Sequence, residues 1–172
     1  TYRFHPDSLT STKRKMVQQK SAELLWEHQD WFLNEYRNEP EMIGRFALSI
    51  RRYWNLKVDW SQFYSIVPEL EYESMPEKGM PCIIYGAGQL GTKAHRFLGE
   101  RAIAFADSDP AKWGQIKEGL PILSPEEAVT RSKDYTILIA IGRKHIYEVM
   151  HMLYERGVRR YSAWRKYMSW TS

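Results

Sequence analysis

From Ser11 to Tyr36 the chain carries neither glycine nor proline. Over that stretch Val17, Leu24, Leu25, Trp31, Phe32 and Tyr36 recur at near-helical spacing, which predicts one long amphipathic helix. Asn38 then offers an N-cap with Pro40 in the first turn. Ile43, Phe46, Ala47, Ile50, Tyr53 and Trp54 follow an i, i+3, i+4, i+7 stripe and predict a second helix. The stretch from Asp59 to Val67 adds a short helical turn before Pro68 stops it. Pro68 to Pro81, with three prolines, Gly79 and the acids Glu69, Glu71, Glu73 and Glu77, reads as an exposed linker.

Beyond Pro81 the pattern changes to short apolar runs alternating with helical stretches. Cys82–Tyr85 predicts a strand, and Lys93, Ala94, Phe97 and Leu98 place a helix after it. A second strand covers 102–106, and Leu120–Leu123 a small one. Ser124, Pro125, Glu126 and Glu127 form a capped helix start. Tyr135 to Ile141 is almost wholly apolar, as in a strand buried on both faces of a parallel sheet. A helix then runs to Arg156 with Gly157 at its end, and Val158 to Trp164 makes a last strand. This alternation predicts an α/β domain with an open parallel sheet of about five strands. The chain therefore divides into a helical region at 1–67, a linker at 68–80 and the α/β domain at 81–172.

The predicted strand Cys82–Tyr85 is followed at once by Gly86, Ala87, Gly88, Gln89, Leu90 and Gly91, a GxGxxG run between strand and helix. In such a run the first glycine permits the tight turn, the second lets backbone amides approach a pyrophosphate, and the third lets helix and strand pack closely. The helix start adds unpaired amides and a positive dipole end. The next strand ends at Asp107, 21 positions after Gly86, where an acid would meet an adenosine ribose. An acid there prefers a free 2′-hydroxyl and disfavours a 2′-phosphate, so the expected dinucleotide is NAD. The competing reading has Asp107 and Asp109 capping the turn before Pro110. Ligands of open α/β sheets sit at the carboxyl ends of the strands, which adds Ser108 and the segment Gly142–Arg143–Lys144–His145 to the expected site. Of these, Arg143 or Lys144 would meet a phosphate, unless both are ordinary solvated cations.

The separated segments Ile84–Gly88, Phe105–Pro110 with Lys112, Trp113 and Gly114, Gly119–Glu127, and Ile137–Gly142 together resemble a bacterial Rossmann-type domain. That domain is found in nucleotide-sugar dehydratases and epimerases and in other enzymes of polysaccharide biosynthesis. The resemblance covers residues 81–164. It implies a nucleotide or nucleotide-sugar binding module of glycan biosynthesis, with the glycine loop and Asp107 facing the cofactor. Dehydratases of the short-chain type pair a tyrosine with a lysine four positions on, so that the lysine lowers the phenol pKa. Here Tyr135 is followed by Ile139, Tyr147 by His151 and Tyr161 by Arg165, so autonomous catalysis is not expected. The alternatives are an NAD-dependent sugar-nucleotide oxidoreductase or dehydratase completed by another segment, and a non-binding scaffold that assembles through its helices.

Composition narrows these readings a little. The first eighty residues hold 11 basic and 12 acidic side chains and the remainder 14 and 9, so the net charge of +4 arises in the second half. Arg156, Arg159, Arg160, Arg165 and Lys166 form a basic end there, read as a solvated face and not as a nucleic-acid surface. No apolar run reaches the roughly 18 residues of a membrane span, and no secretory signal opens the chain, which points to a cytoplasmic protein. The single cysteine, Cys82, sits in a strand and is a poor nucleophile. The five histidines show no metal-ligand spacing, and His145, at a helix start above the sheet, is the best acid/base candidate. Four of the seven tryptophans fall in the first eighty residues, in helices too few to bury them alone, which points to oligomerisation or docking on a partner enzyme.

Overall fold

The structure is a computed structural model that describes residues 27–51, 60–74 and 76–164. It divides into two compact units, with the boundary between Ile66 and Val67.

The first unit contains α1 (Gln29–Glu35), α2 (Pro40–Arg51) and α3 (Ser61–Ile66). The part of the expected first helix before residue 27 lies outside the described residues, as do Tyr53, Trp54 and Asp59 of the later prediction. Helix α2 starts one residue later than an Asn38 cap would give, because the Glu39 carbonyl accepts the Met42 and Ile43 amides. Ile43 and Ala47 of the expected stripe are fully buried. An aromatic run joins the three helices: Phe32 lies 4.2 Å from Phe46, Phe46 6.3 Å from Phe63, and Phe63 5.1 Å from Trp60, centroid to centroid. Such offset ring contacts add to the burial that holds short helices together.

The second unit is a mixed α/β structure around a six-stranded, mostly parallel sheet. Its strands are β1 (Cys82–Tyr85), β2 (Ala102–Ala106), β3 (Ile116–Lys117), β4 (Leu120–Leu123), β5 (Thr136–Ile139) and β6 (Tyr161–Ala163), in the order β3-β4-β2-β1-β5-β6. All neighbours are parallel except β3 and β4. Every residue of β1 and β5 is buried, which accounts for their apolar composition, Thr136 at the start of β5 excepted. Helix α4 (Gln89–Leu98) follows β1 and packs on β1 and β2, with Ala94 and Leu98 against Cys82, Ile84 and Phe105. Helix α5 (Pro125–Arg131) opens with a full capping box between Ser124 and Glu127, as the sequence predicts. Helix α6 (Ile146–Glu155) packs on β5 and is left through Gly157 at φ +83°.

Two features depart from the expected plan. Strand β3 was not expected, since it is two residues long and its Ile116 is exposed. It turns into β4 through Glu118 and Gly119, both at positive φ, as in a type I′ hairpin. The segment expected to be an exposed linker is in part structural. Pro68–Tyr72 forms a 3₁₀ turn packed against α6, and Leu70 and Glu69 are buried. The Glu69 carboxylate accepts the Tyr147 hydroxyl at 2.9 Å and lies 2.8 Å from His151 Nδ1, while the Glu69 carbonyl accepts the Tyr161 hydroxyl. Glu73 receives the Ala163 amide and bridges to Tyr161 beside the sheet edge. These acids read as solvated in a one-dimensional pattern, yet each supplies acceptors that buried donors of α6 and β6 need.

Candidate functional site

The chain passes from β2 to β4 on one side of β1 and crosses to β5 and β6 on the other, so the strand order reverses at β1. At the carboxyl end of β1 stand the three glycines, and they have different tasks. Gly86 has φ +114°, and a Cβ there would lie 2.6 Å from the Ala140 carbonyl oxygen and 2.5 Å from Ile141 Cγ2. A Cβ on Gly91 would lie 1.9 Å from the Gly86 carbonyl oxygen and 3.3 Å from Phe105. Both positions are glycine because the fold requires it. Gly88 is different: its φ of −89° suits any residue, and nothing lies within 4 Å of the place a Cβ would take.

Gly88 also caps α4, whose first intrahelical bond runs from the Thr92 amide to the Gly88 carbonyl at 3.1 Å. The Gln89, Leu90 and Gly91 amides precede that bond and have no acceptor within the helix. Gly88 and Gln89 are exposed and Leu90 partly so. Across the reversal point Gly142 repeats the pattern, with φ −60° and open space at its Cβ position. Arg143, Lys144 and His145 follow it as an exposed 3₁₀ turn. His145, the acid/base candidate, has Nδ1 2.9 Å from Glu148 in the first turn of α6, both side chains about half exposed.

Asp107 extends β2 and turns its carboxylate inward. Oδ2 accepts the Ala87 amide at 2.8 Å, Oδ1 accepts the Asp109 amide at 3.0 Å, and Lys112 Nζ lies 3.1 Å from both oxygens. Burial alone pushes this carboxyl up, but the two amides and the Lys112 ammonium outweigh it and hold the group below its ordinary value. Asp107 therefore ties the glycine loop to β2. Its carbonyl accepts the Trp113 indole N–H at 2.7 Å, which anchors the next turn. Asp109 caps that turn by accepting the Ala111 amide at 3.0 Å. Ser108 pairs its hydroxyl with that of Tyr85 at 2.8 Å, and burial pushes the Tyr85 phenol up.

Lys112 was not among the expected site residues. Its signals in the sequence were its place five positions after the acid, past the Asp-Pro turn, and its part in the resemblance. The tyrosines weighed as acid/base groups point elsewhere: Tyr147 and Tyr161 give their hydroxyls to Glu69, and burial together with that carboxylate pushes the Tyr161 phenol far up. Cys82 is fully buried and burial pushes its thiol up.

The basic end lies at the opposite, amino edge of the sheet. A cleft of about 340 Å³ there is lined by Ser132, Lys133, Arg156, Arg159 and Arg160. Its arginines serve helix ends: Arg159 donates to the Tyr154 and Val158 carbonyls and stacks 4.1 Å over the Tyr154 ring, Arg160 donates to the Lys133 carbonyl, and Arg156 pairs with Glu126 at 2.8 Å. Arg165 and Lys166 lie outside the described residues. Among the described residues no helix is long and apolar enough to cross a membrane. No family model and no curated protein matches the chain.

Proposed function

We propose that the second unit is a Rossmann-like module that binds a nucleotide or nucleotide-sugar, with an NAD-type dinucleotide as the ligand to try first and a role in glycan biosynthesis. The observation that carries this reading is Gly88. Neither backbone conformation nor packing requires a glycine there, whereas a phosphate approaching the amides at the start of α4 does. Support comes from the five parallel strands, whose order β4-β2-β1-β5-β6 reverses at β1, the crevice where such sheets hold ligands. The sheet departs from the full pattern in the antiparallel β3 and in a β2–β4 link without an α-helix.

The reading is of binding without autonomous catalysis. The tyrosine hydroxyls at 147 and 161 serve the interior, and His145 pairs with Glu148 three residues on. Calorimetric titration with NADH tests the proposal. The wild type is expected to bind saturably, and Gly88→Val is expected to abolish binding while costing about 1 kcal/mol of stability or less, the ordinary difference at an N-cap. A folded wild type that binds neither NADH nor a nucleotide-sugar would sink it.

A second reading concerns the first unit, in which Trp31 and Met42 are exposed at 61% and 44%. Exposed apolar side chains of that size, where they lie together, favour self-association. Sedimentation of the wild type against Trp31→Ala tests it, and an unchanged mass distribution would remove it.

A further inference from the structure

We infer that the acid meeting the ligand's ribose is Asp109 and not Asp107, and that the site selects nucleotides with a free 2′-hydroxyl. This rests on the nucleotide reading above. A carboxylate offers about four lone-pair directions. At Asp107 all four are engaged, by the Ala87 amide, the Asp109 amide and the two contacts of Lys112. Its side chain is only 13% exposed. A ribose reaching Asp107 would have to displace Lys112 or release the glycine loop it was meant to bind beside.

Two residues on, Asp109 stands at the same edge with its side chain 49% exposed. Its Oδ1 caps the Ala111 amide, and its Oδ2 has a single long contact, 3.7 Å to Lys112 Nζ. The second oxygen thus keeps acceptor capacity toward solvent, which is what a vicinal diol needs. Charge decides the selectivity. Asp107 and Asp109 carry two negative charges against the single positive charge of Lys112, so the turn retains one surplus negative charge. A phosphate on the 2′-oxygen would meet that charge at close range and is disfavoured. Asp107 is then a positioning residue that holds the loop, and Asp109 is the ligand contact.

The test couples a protein atom to a ligand atom. ADP and 2′-deoxy-ADP are titrated into the full chain, into Asp109→Ser and into Asp107→Asn. Serine keeps a cap on the Ala111 amide but lacks the second oxygen. The wild type is expected to bind ADP about tenfold more tightly than 2′-deoxy-ADP. In Asp109→Ser the ratio is expected to fall to near one, with the melting temperature nearly unchanged. Asp107→Asn, where it folds, is expected to lower stability and keep the ratio. A ratio that survives Asp109→Ser overturns the inference, as does a wild type that binds the two nucleotides equally, and both outcomes leave the nucleotide reading standing. A folded wild type that binds neither ADP nor NADH overturns both together. Should Asp107→Asn fail to fold, Asp109→Ser decides alone.

Discussion

The two sides of the strand-order reversal are built differently. On the β1–β2 side, Gly86 and Gly91 are held by contacts that exclude any side chain, and Asp107 ties the loop to its neighbours through four short contacts. On the β5 side, Gly142 has open space around it, and the side chains of Arg143, Lys144 and His145 are exposed on a turn closed by the His145 amide on the Gly142 carbonyl at 3.0 Å. The same sheet edge thus joins a preformed half to a half that its own packing barely constrains. Gly88, on the rigid side but with open space at its Cβ position, is the exception on which the proposed nucleotide binding rests.

That contrast breaks most sharply at the glycines. Gly91→Ala places a Cβ 1.9 Å from the Gly86 carbonyl oxygen and is expected to cost about 3 kcal/mol or to prevent folding. Gly142→Ala meets nothing within 4 Å at a φ of −60° and is expected to leave stability within about 0.5 kcal/mol. Thermal denaturation of the two variants side by side checks this, and equal melting temperatures would erase the distinction between the halves.

Asp107→Asn comes next in size. It removes one acceptor for the loop amide and the charge facing Lys112, and a loss of about 1–3 kcal/mol at neutral pH is expected. The folded state holds this carboxyl below its ordinary value, so its contribution is present above roughly pH 4 and fades as pH falls through the lowered folded value. Urea unfolding of wild type and variant from pH 7 down to pH 2.5 is expected to show the two curves converging. A gap that stays constant across that range would mean the charge is not what Asp107 contributes.

The smallest effect belongs to the open half. Arg143→Gln is expected to leave the melting temperature unchanged and to weaken NADH binding a few-fold, since an exposed cation contributes modestly to holding a phosphate. Equal affinity in the variant would confine the ligand to the β1–β2 half.

Much of the α/β half was legible because its signals are local. Strand β1 is an apolar run and β5 is one from Ile137 on, the Ser124–Glu127 box marks a helix start by spacing alone, and Gly157 ends a helix at the left-handed φ that glycine favours. Glu71 and Glu77 are exposed as expected, but Glu69 and Glu73 were misjudged for the opposite reason. Whether a carboxylate is solvated depends on what folds over it. Glu69 is covered by α6 and β6, which follow it by some eighty residues or more, and no composition window reports that. Lys112 likewise becomes part of the site only because the turn after β2 folds back onto Asp107.

The order of apolar and polar residues by itself determined the alternation of strand and helix, the place of the glycine turn and the identity of its neighbours, because hydrogen bonding and burial within an element act over a few residues. Only the tertiary structure decided which of the three glycines the fold can spare and which of two nearby acids faces outward. Those outcomes depend on steric contact and charge pairing between segments far apart in the chain, here Gly86 with Ala140 and the glycine loop with the end of β2.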